Sequence, residues 1–452
     1  MKAITDDSIE NLTALLKDLQ VQYQKARAQN LKLNMARGKP AAAQLNLSNE
    51  LLNKLEDYTL ADGTDARNYG ILEGIPECRQ LFGELLGLNP EQMIIGGSSS
   101  LNLMFDTISF LCLFGTGGCE PWLYHRYHGA PVKFLCPVPG YDRHFTVCEE
   151  LGIEMISVPL KEDGPDMDIV MDLVRTDASI KGIWCVPLHS NPQGVCYSDK
   201  VVEQLASMET AADDFRIFWD NAYGVHHIYE DVPLKDILKE CAEAGHPERA
   251  YYFFSTSKIS FPGAGIALIA SGPENIKELK KHMSAQTIGH DKLNQLRHVQ
   301  FFRTPENIRN HMKKLAEELK PKFDMVLGKL EEALSGTGLA AWSSPKGGYF
   351  ISLDTLPGCA KRTVELAKTA GVTLTGAGAT YPYGKDPNDS NIRIAPTYPA
   401  IEELEKAMDV FSICVKIAGI EKLLEKLFIY AALSMVIKDK KVRMRQKQTE
   451  TR

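Results

Sequence analysis

The sequence lacks the marks of several common protein classes. Its ten cysteines form no Cys-x-x-Cys pair and no cluster with histidine, so we expect neither a zinc site nor any other metal site. Scattered cysteines are typical of small buried side chains in a reducing compartment, which favours the cytoplasm. The chain also shows no internal repeat and no low-complexity segment.

A surplus of positive charge and a long hydrophobic run are missing as well. The 58 acidic residues outnumber the 51 basic ones, and the net charge of −7 argues against nucleic acid as a partner. Residues 427–437, the longest apolar run near the C-terminus, are too few to span a bilayer, so we expect no membrane partner. The acidic residues Asp6, Asp7 and Glu10 interrupt the N-terminal segment, which lacks the apolar core of a signal peptide.

The pattern of apolar residues predicts the fold class. From about residue 76, short apolar runs of strand character alternate with helix-like segments such as residues 200–212. This alternation predicts an α/β fold, with a mostly parallel seven-stranded sheet and helices on both of its faces. The seven runs are residues 93–95, 132–136, 155–158, 182–186, 216–219, 251–254 and 266–270.

The pattern of charged and apolar residues changes at about residue 304. A long charged amphipathic stretch runs from there to about residue 335, and shorter strand-like runs follow. We therefore predict a large domain at residues 50–303 and a smaller α/β domain formed by residues 1–49 and 304–420. Residues 421–452 form a C-terminal extension of unknown role. An amphipathic helix on the protein's own surface is the default interpretation, and membrane association is the alternative.

Lys258 is the first candidate for chemistry. It follows an apolar run and three small hydroxyl residues, and it precedes a Pro-Gly turn. Partial desolvation at such a junction lowers the pKa of the amine and makes it a usable nucleophile. Such an amine can form a Schiff base with an aldehyde cofactor. For an isolated lysine, the commoner alternative is a side chain that ends a strand and reaches water.

Further motifs follow other strand-like runs, at the sheet edge where ligands of open parallel sheets bind. The run at residues 93–95 leads through two glycines into Ser98, Ser99 and Ser100, a turn that offers backbone N–H groups to an anion. The alternative is a plain serine helix cap. Asn191, which precedes Pro192, can bond a ligand or simply initiate a turn.

Asp220 ends an apolar run, where an unpaired carboxylate is costly and needs a cationic or proton-donating partner. A pyridinium nitrogen meets that need, and the aspartate would then keep the cofactor an electron sink. Tyr223 offers a phenol to the same cofactor. The alternative is a structural salt bridge and a core tyrosine. Arg393 lies in a late apolar run and can hold a carboxylate by two parallel hydrogen bonds, or it is a surface arginine on an edge strand.

The order of these motifs resembles the class I/II aminotransferases of fold type I, which use pyridoxal 5′-phosphate (PLP). The resemblance covers residues 30 to about 415 and implies that Lys258 is the Schiff-base lysine and the proton carrier. It implies that Asp220 bonds the pyridine nitrogen, and that Asn191 and Tyr223 bond the cofactor's 3-hydroxyl. It also implies that Arg393 clamps the α-carboxylate of the substrate.

The same resemblance extends to the phosphate, the ring and the subunit contact. Tyr141 is expected to stack on the ring, and Arg37 and Gly38 to line the substrate pocket. Tyr69 resembles the tyrosine that reaches the phosphate of the neighbouring subunit's cofactor, which implies a homodimer with active sites at its interface. The residues expected around the phosphate are the serines Ser98, Ser99, Ser100, Ser255 and Ser257.

Four stretches resemble more closely the aspartate aminotransferase subgroup that is grouped with MocR-like aminotransferases. They are FLCPVPGYDRHF, GIEMISVPL, IKGIWCVPLHSNPQG and IGHDKLNQLRHV. One position departs from the pattern, because many members carry a phosphate-binding arginine eight residues after the lysine and this chain has Ile266. The phosphate is then expected to depend on the serines, the helix N-terminus, Tyr69 and a cation that the sequence does not identify.

The resemblance implies a transamination, with L-aspartate and 2-oxoglutarate giving oxaloacetate and L-glutamate as the expected reaction. The side-chain carboxylate of such substrates needs a second cation, and the candidates are Arg37, Lys39, Arg143 and His144. The alternatives are an aminotransferase of other specificity, a β-lyase or decarboxylase on the same fold, and a non-catalytic PLP-binding regulator.

Overall fold

The computed structural model describes residues 3–450 and places the side chains of residues 3–430, 432 and 433. The helices are α1 (Ile9–Arg27), α2 (Ala42–Asn46), α3 (Pro76–Leu86), α4 (Ser100–Phe114), α5 (Trp122–Tyr127), α6 (Asp142–Glu150), α7 (Met167–Thr176), α8 (Asp199–Ser207), α9 (Ile237–Glu243), α10 (Pro273–Gln286), α11 (Lys292–Phe302), α12 (Pro305–Leu334), α13 (Ala360–Thr369) and α14 (Ile401–Glu450). The strands are β1 (Leu33–Asn34), β2 (Met93–Ile95), β3 (Lys133–Val138), β4 (Glu154–Lys161), β5 (Gly164–Pro165), β6 (Ile180–Cys185), β7 (Arg216–Asp220), β8 (Ala250–Ser255), β9 (Ala267–Ser271), β10 (Ala340–Trp342), β11 (Ile351–Thr355), β12 (Val372–Thr373) and β13 (Asn391–Ile394).

The large sheet has the strand order β2-β9-β8-β7-β6-β3-β4-β5. The strands from β4 through β3, β6 and β7 to β8 run parallel to their neighbours, whereas β9 is antiparallel to both β8 and β2. The predicted mostly parallel sheet is confirmed, and each of the seven predicted runs overlaps one of its strands. The eighth strand, β5, pairs antiparallel with β4. It was not predicted, because its two residues, Gly-Pro, carry no apolar pattern.

The central strands are buried on both faces of the sheet. Every residue of β6 and β7 is buried, as expected for parallel strands covered by helices on each side. Successive side chains point to opposite faces, so Ile217 and Trp219 of β7 lie in one hydrophobic cluster while Phe218 lies in another, with Trp184. This double burial holds the carboxyl ends of the strands in place beside the cavity described below.

A third hydrophobic cluster lies outside the large sheet. It joins α1, α12 and α14 to the antiparallel sheet β10-β11-β13, in which Arg393 of β13 lies opposite Ser352 of β11. Helix α12 contributes Ile308 and Met312 to a cluster of the large sheet and Phe323 to this third one. The division of the chain near residue 304 therefore stays a prediction, and we propose that α12 links the two units.

The last described element is one long helix, α14, whose backbone continues without a break from residue 401 to residue 450 and so through the described part of the predicted extension. Phe411 and Ile420 are buried, whereas Phe428 and Tyr430 are exposed. Within the described residues, no helix combines the length and apolar character that a membrane crossing needs. Residues 451 and 452, and the side chains of residue 431 and of residues 434–450, lie outside the described part of the extension.

Candidate active site

A cavity of about 570 Å³ lies at the carboxyl ends of the parallel strands. Tyr141 follows β3, Asn191 follows β6, Asp220 ends β7 and Ser255 ends β8, so the topology gathers these four residues at one edge of the sheet. Twelve of the fourteen site residues predicted from the sequence line the cavity. They are Arg37, Gly38, Ser99, Ser100, Tyr141, Asn191, Asp220, Tyr223, Ser255, Ser257, Lys258 and Arg393.

Lys258 projects into this cavity from the turn after β8. Its Nζ lies 5.2 Å from the centroid of the Tyr223 ring and 5.6 Å from that of Tyr349. Burial lowers the pKa of the Lys258 amine, and the Asp220 carboxylate acts in the opposite direction. The amine therefore reaches its neutral, nucleophilic form more easily than an exposed lysine does.

A buried histidine holds the turn that carries Lys258. His298 Nδ1 lies 2.8 Å from the carbonyl oxygen of Asn294, which can only accept, so Nδ1 carries the proton. Nε2 then accepts a hydrogen bond from the Ser260 hydroxyl at 2.8 Å. Thr256 closes the turn, because its hydroxyl accepts from the Ile266 amide at 2.9 Å. The position of Lys258 thus depends on a network of uncharged hydrogen bonds.

Asp220 is buried at the floor of the cavity. Its Oδ2 accepts a hydrogen bond of 2.9 Å from His144 Nε2, and the His144 ring stacks on Trp184 at a centroid distance of 4.1 Å. Among the described residues, Asp220 Oδ1 is buried and has no hydrogen-bond partner. A buried carboxylate oxygen without a partner is costly, so this atom indicates a proton-donating ligand.

Arg393 reaches the cavity from strand β13, in the sheet that packs in the third hydrophobic cluster. Its Nη1 donates to Asp142 Oδ1 at 3.0 Å and to Asn191 Oδ1 at 3.2 Å, and its Nη2 donates to Thr375 Oγ1 at 3.4 Å. The guanidinium lies over the Phe350 ring, 4.9 Å from its centroid. Gly38 packs against the same ring, where a Cβ would collide with it. The N-terminal segment can approach the arginine only because residue 38 is a glycine.

The predicted phosphate turn is present, although one of its serines lies apart from the cavity. Ser99 stands at the N-cap position of α4 without a capping hydrogen bond from its side chain, and Ser100 begins that helix, whose N-terminus faces the cavity. Ser255 donates to Ser257 at 3.1 Å, and Ser257 donates to the carbonyl oxygen of Ser98 at 3.4 Å. The Ser98 side chain is exposed and does not line the cavity, because its backbone oxygen faces the other serines.

Two further positions, Ile266 and Tyr69, bear on how the phosphate would be bound. Ile266 is buried in the core beneath the lysine turn, so it brings no cation to the site. Tyr69 is 81% exposed and lies in a separate cleft beside Lys292, away from the cavity of its own chain. Within one chain, the structure does not bring Tyr69 to the other predicted cofactor residues.

The four residues predicted as possible partners of the substrate's side-chain carboxylate differ in whether they line the cavity. Arg37 and Arg143 line the cavity, and neither forms an ion pair with any described residue. Lys39 instead lies over the Tyr398 ring, 3.9 Å from its centroid. The candidacy of His144 is wrong, because its imidazole is buried behind Asp220 rather than open to a substrate.

The residues present fit a PLP molecule. Asp220 offers an unsatisfied oxygen for the ring nitrogen, Lys258 an amine for the aldehyde, and the serines at the α4 N-terminus donors for the phosphate. Burial raises the pKa of Tyr223, whose phenol therefore keeps its proton. Together with the mostly parallel sheet, this site defines a PLP-dependent enzyme of fold type I.

The model of the aspartate amino-transferase family matches residues 7–427, and the chain belongs to that family. It is therefore a PLP-dependent aminotransferase. An aspartate aminotransferase of Corynebacterium glutamicum is 46% identical over 93% of this chain and 97% of its own length. The crystal structure of an aspartate transaminase from the same species matches with a TM-score of 0.90, and the match covers 93% of this chain and 99% of that one.

Two further comparisons give one relative of similar identity and one protein that shares the fold alone. A Mycolicibacterium smegmatis protein described as an aminotransferase is 48% identical, over 89% of this chain and 94% of that one. LysN, an α-aminoadipate aminotransferase of Thermus thermophilus, was solved in complex with N-(5′-phosphopyridoxyl)-L-leucine. It matches with a TM-score of 0.70 at 19% identity over 90% of this chain and 95% of that one, a likeness of fold alone.

The network that holds the lysine turn predicts a pH dependence of stability. Burial lowers the pKa of His298 from 6.5 to about 4, so the folded state keeps this ring neutral where the unfolded chain binds a proton. Its contribution is complete above pH 6.5 and is lost as the pH falls towards 4, by about 1.4 kcal/mol per pH unit. In His298→Gln, the free energy of unfolding should be lower at neutral pH but should fall less steeply on acidification.

Urea unfolding at several pH values between about 7 and 5 measures this difference. His189 and His226, whose pKa values burial also lowers, contribute equally to both proteins and cancel in the comparison. The exposed His128→Gln is the control and should follow the wild type. If the free energy of unfolding fell equally steeply with pH in His298→Gln and the wild type, His298 would not be a source of the pH dependence.

Proposed function

We propose that this aminotransferase exchanges the amino group of L-aspartate with 2-oxoglutarate, giving oxaloacetate and L-glutamate. The observation that carries this proposal is the set of cations in one cavity. Arg393, Arg37 and Arg143 line the same space as Lys258, and the last two arginines form no ion pair with a described residue. Both substrates carry two carboxylates, and a second unpaired cation suits the second carboxylate.

The cavity residues have separable roles towards PLP. Asp220 would bond the ring nitrogen and Tyr141 would cover the ring, while Asn191 and Tyr223 would bond the 3-hydroxyl. When bound, PLP supplies the electron sink that stabilises negative charge at the substrate's Cα. The phosphate would be held by Ser99, Ser100, Ser255 and Ser257, with Ser98 contributing through its position in the turn.

Lys258 would carry the proton of the reaction. Because burial lowers the pKa of its amine, the neutral form is available to take a proton from the substrate's Cα. The resulting ammonium is stabilised by the nearby Asp220 carboxylate, which opposes the effect of burial. The same side chain can therefore act first as a base and then as an acid.

Arg393 would hold the α-carboxylate, because its guanidinium is buried, supported by Phe350 and fixed by Asn191. The opposite end of the substrate would meet Arg37 or Arg143, which belong to separate segments on the rim of the cavity. A monocarboxylate such as L-alanine would leave these arginines without a partner, and we expect it to react less well.

We also propose that the active unit is a homodimer. Tyr69 is 81% exposed, and Ile288, beside the contact between Gly70 and Gly289, is 63% exposed. An exposed aromatic and an exposed aliphatic side chain on one face suit a subunit contact. In this arrangement Tyr69 would reach the phosphate bound by the partner subunit.

A cytoplasmic location is supported by the thiols. All ten cysteines lie in the described part of the chain, and none forms a disulfide. Eight of them are buried, as expected for small apolar side chains. We infer a reducing compartment from this usage.

A half-reaction screen tests the proposed substrate. PLP-loaded protein is mixed with one amino acid at a time, and the absorbance band of lysine-bound PLP is followed as it converts to the pyridoxamine form. L-Aspartate and L-glutamate should convert it at much lower concentrations than L-alanine does. Conversion by L-alanine at equal or lower concentration would contradict the dicarboxylate assignment.

The role of Lys258 is tested in the same assay. Lys258→Ala should lose the band of lysine-bound PLP and slow turnover at least about a thousandfold, since it removes both the attachment point and the base. The exposed Lys161→Ala is the matched control and should keep both. Full turnover in Lys258→Ala would refute the assignment.

Subunit mixing tests the role of Tyr69. A Tyr69→Ala subunit keeps Lys258, and a Lys258→Ala subunit keeps Tyr69, so a mixed dimer would contain one intact site. At limiting PLP, adding inactive Lys258→Ala protein should therefore raise the activity of Tyr69→Ala protein. Adding the Lys258→Ala, Tyr69→Ala double variant should not. Equal effects of the two additions would place Tyr69 outside the partner's site.

A further inference from the structure

The Asp142 carboxylate forms an ion pair with Arg393, the residue proposed to bind the substrate's α-carboxylate. Asp142 begins helix α6 and lines the cavity, and its Oδ1 lies 3.0 Å from Arg393 Nη1. The Arg393 side chain is 7% exposed and that of Asp142 is 33% exposed, so the pair lies at the boundary between the protein interior and the cavity.

Few N–H groups of Arg393 are left for a substrate carboxylate to bond. Its buried Nε forms no hydrogen bond with a described residue, whereas Nη1 and Nη2 contact side chains that line the cavity. The Nη1–Nη2 edge is therefore the one that a ligand in the cavity would meet. Nη1 has two protons and already two acceptors, Asp142 and Asn191, whereas Nη2 makes only a long bond of 3.4 Å to Thr375.

A substrate carboxylate that binds this edge through two parallel hydrogen bonds therefore needs the Nη1 proton that Asp142 holds. Asn191 is a poor candidate for displacement, because it is buried, whereas Asp142 is partly exposed and can turn towards solvent. Two carboxylates on one guanidinium would also repel each other at close range.

We propose that Asp142 is a built-in competitor for the α-carboxylate site, displaced from Arg393 when substrate binds. This inference rests on the proposed role of Arg393. Asp142 keeps the guanidinium paired and oriented before substrate arrives, and its displacement costs binding free energy for every carboxylate ligand. Because the cost is paid equally in the bound substrate and in the transition state, Asp142 raises KM and leaves kcat nearly unchanged.

The test is the affinity of a carboxylate that cannot react. Succinate binding to PLP-loaded protein is measured by calorimetry for the wild type and for Asp142→Asn, which keeps the shape of the side chain and removes its charge. The dissociation constant should fall at least about fivefold, since a partly exposed ion pair is worth about 1 kcal/mol. In turnover assays, KM for both substrates should fall more than kcat changes.

A double-variant comparison separates competition for Arg393 from a general change of charge. In the Arg393→Gln background, Asp142→Asn should no longer tighten succinate binding, because no guanidinium remains to compete for. Asp168→Asn is the matched control, since it removes an exposed aspartate from the first turn of another helix, α7, and should change nothing. Asp142→Ala provides a second variant and should tighten binding in the same direction.

The outcomes are distinct from those of the proposed function. Unchanged or weaker succinate binding in both Asp142 variants would overturn the inference, even if L-aspartate is the substrate. Tightening of equal size in the Arg393→Gln background would overturn it as well. If L-aspartate fails in the half-reaction screen while Asp142→Asn tightens succinate binding only in the presence of Arg393, the competitor role stands and the substrate assignment falls.

Discussion

The buried carboxylate of Asp220 is the constraint on which the rest of the site depends. A carboxylate at the end of a fully buried strand costs free energy unless both of its oxygens are bonded. One oxygen has His144, which is held by stacking on Trp184, and the other faces the cavity without a partner among the described residues. This half-satisfied arrangement suits a proton-donating ring in the cavity, and the Asp220 carboxylate also acts to raise the pKa of Lys258.

The topology explains why the other groups meet Asp220. Parallel strands end at the same edge, so the turn after β8 delivers Lys258 next to the end of β7, and the turn after β6 delivers Asn191. Arg393 comes from a different sheet and lines the same cavity, where its Nη1 donates a hydrogen bond to Asn191 Oδ1. Lys258, proposed as the base, and Arg393, proposed to bind the α-carboxylate, are thus carried by elements of two different sheets.

The sequence predicted the large sheet because its strands are short apolar runs. It predicted Lys258 and Asp220 through the order of the motifs and their resemblance to the family, because each motif alone had a plain structural alternative. It did not predict the position of His144, since a histidine on an amphipathic helix carries no signal of which residue it bonds. The competition between Asp142 and a substrate for Arg393 depends on a contact across 251 positions, which no local pattern reveals. The expectation for Tyr69 concerns a second subunit, so a single chain cannot test it.

The central claim is that Asp220 is held in the cavity to bond the nitrogen of PLP, and Asp220→Asn tests it most directly. The account predicts that this variant still shows the absorbance band of lysine-bound PLP, because Lys258 and the phosphate site are untouched. Its half-reaction with L-aspartate should slow by about a hundredfold or more, since an amide lacks the negative charge with which the carboxylate stabilises a protonated ring nitrogen. An Asp220→Asn protein that reacts as fast as the wild type would contradict the account.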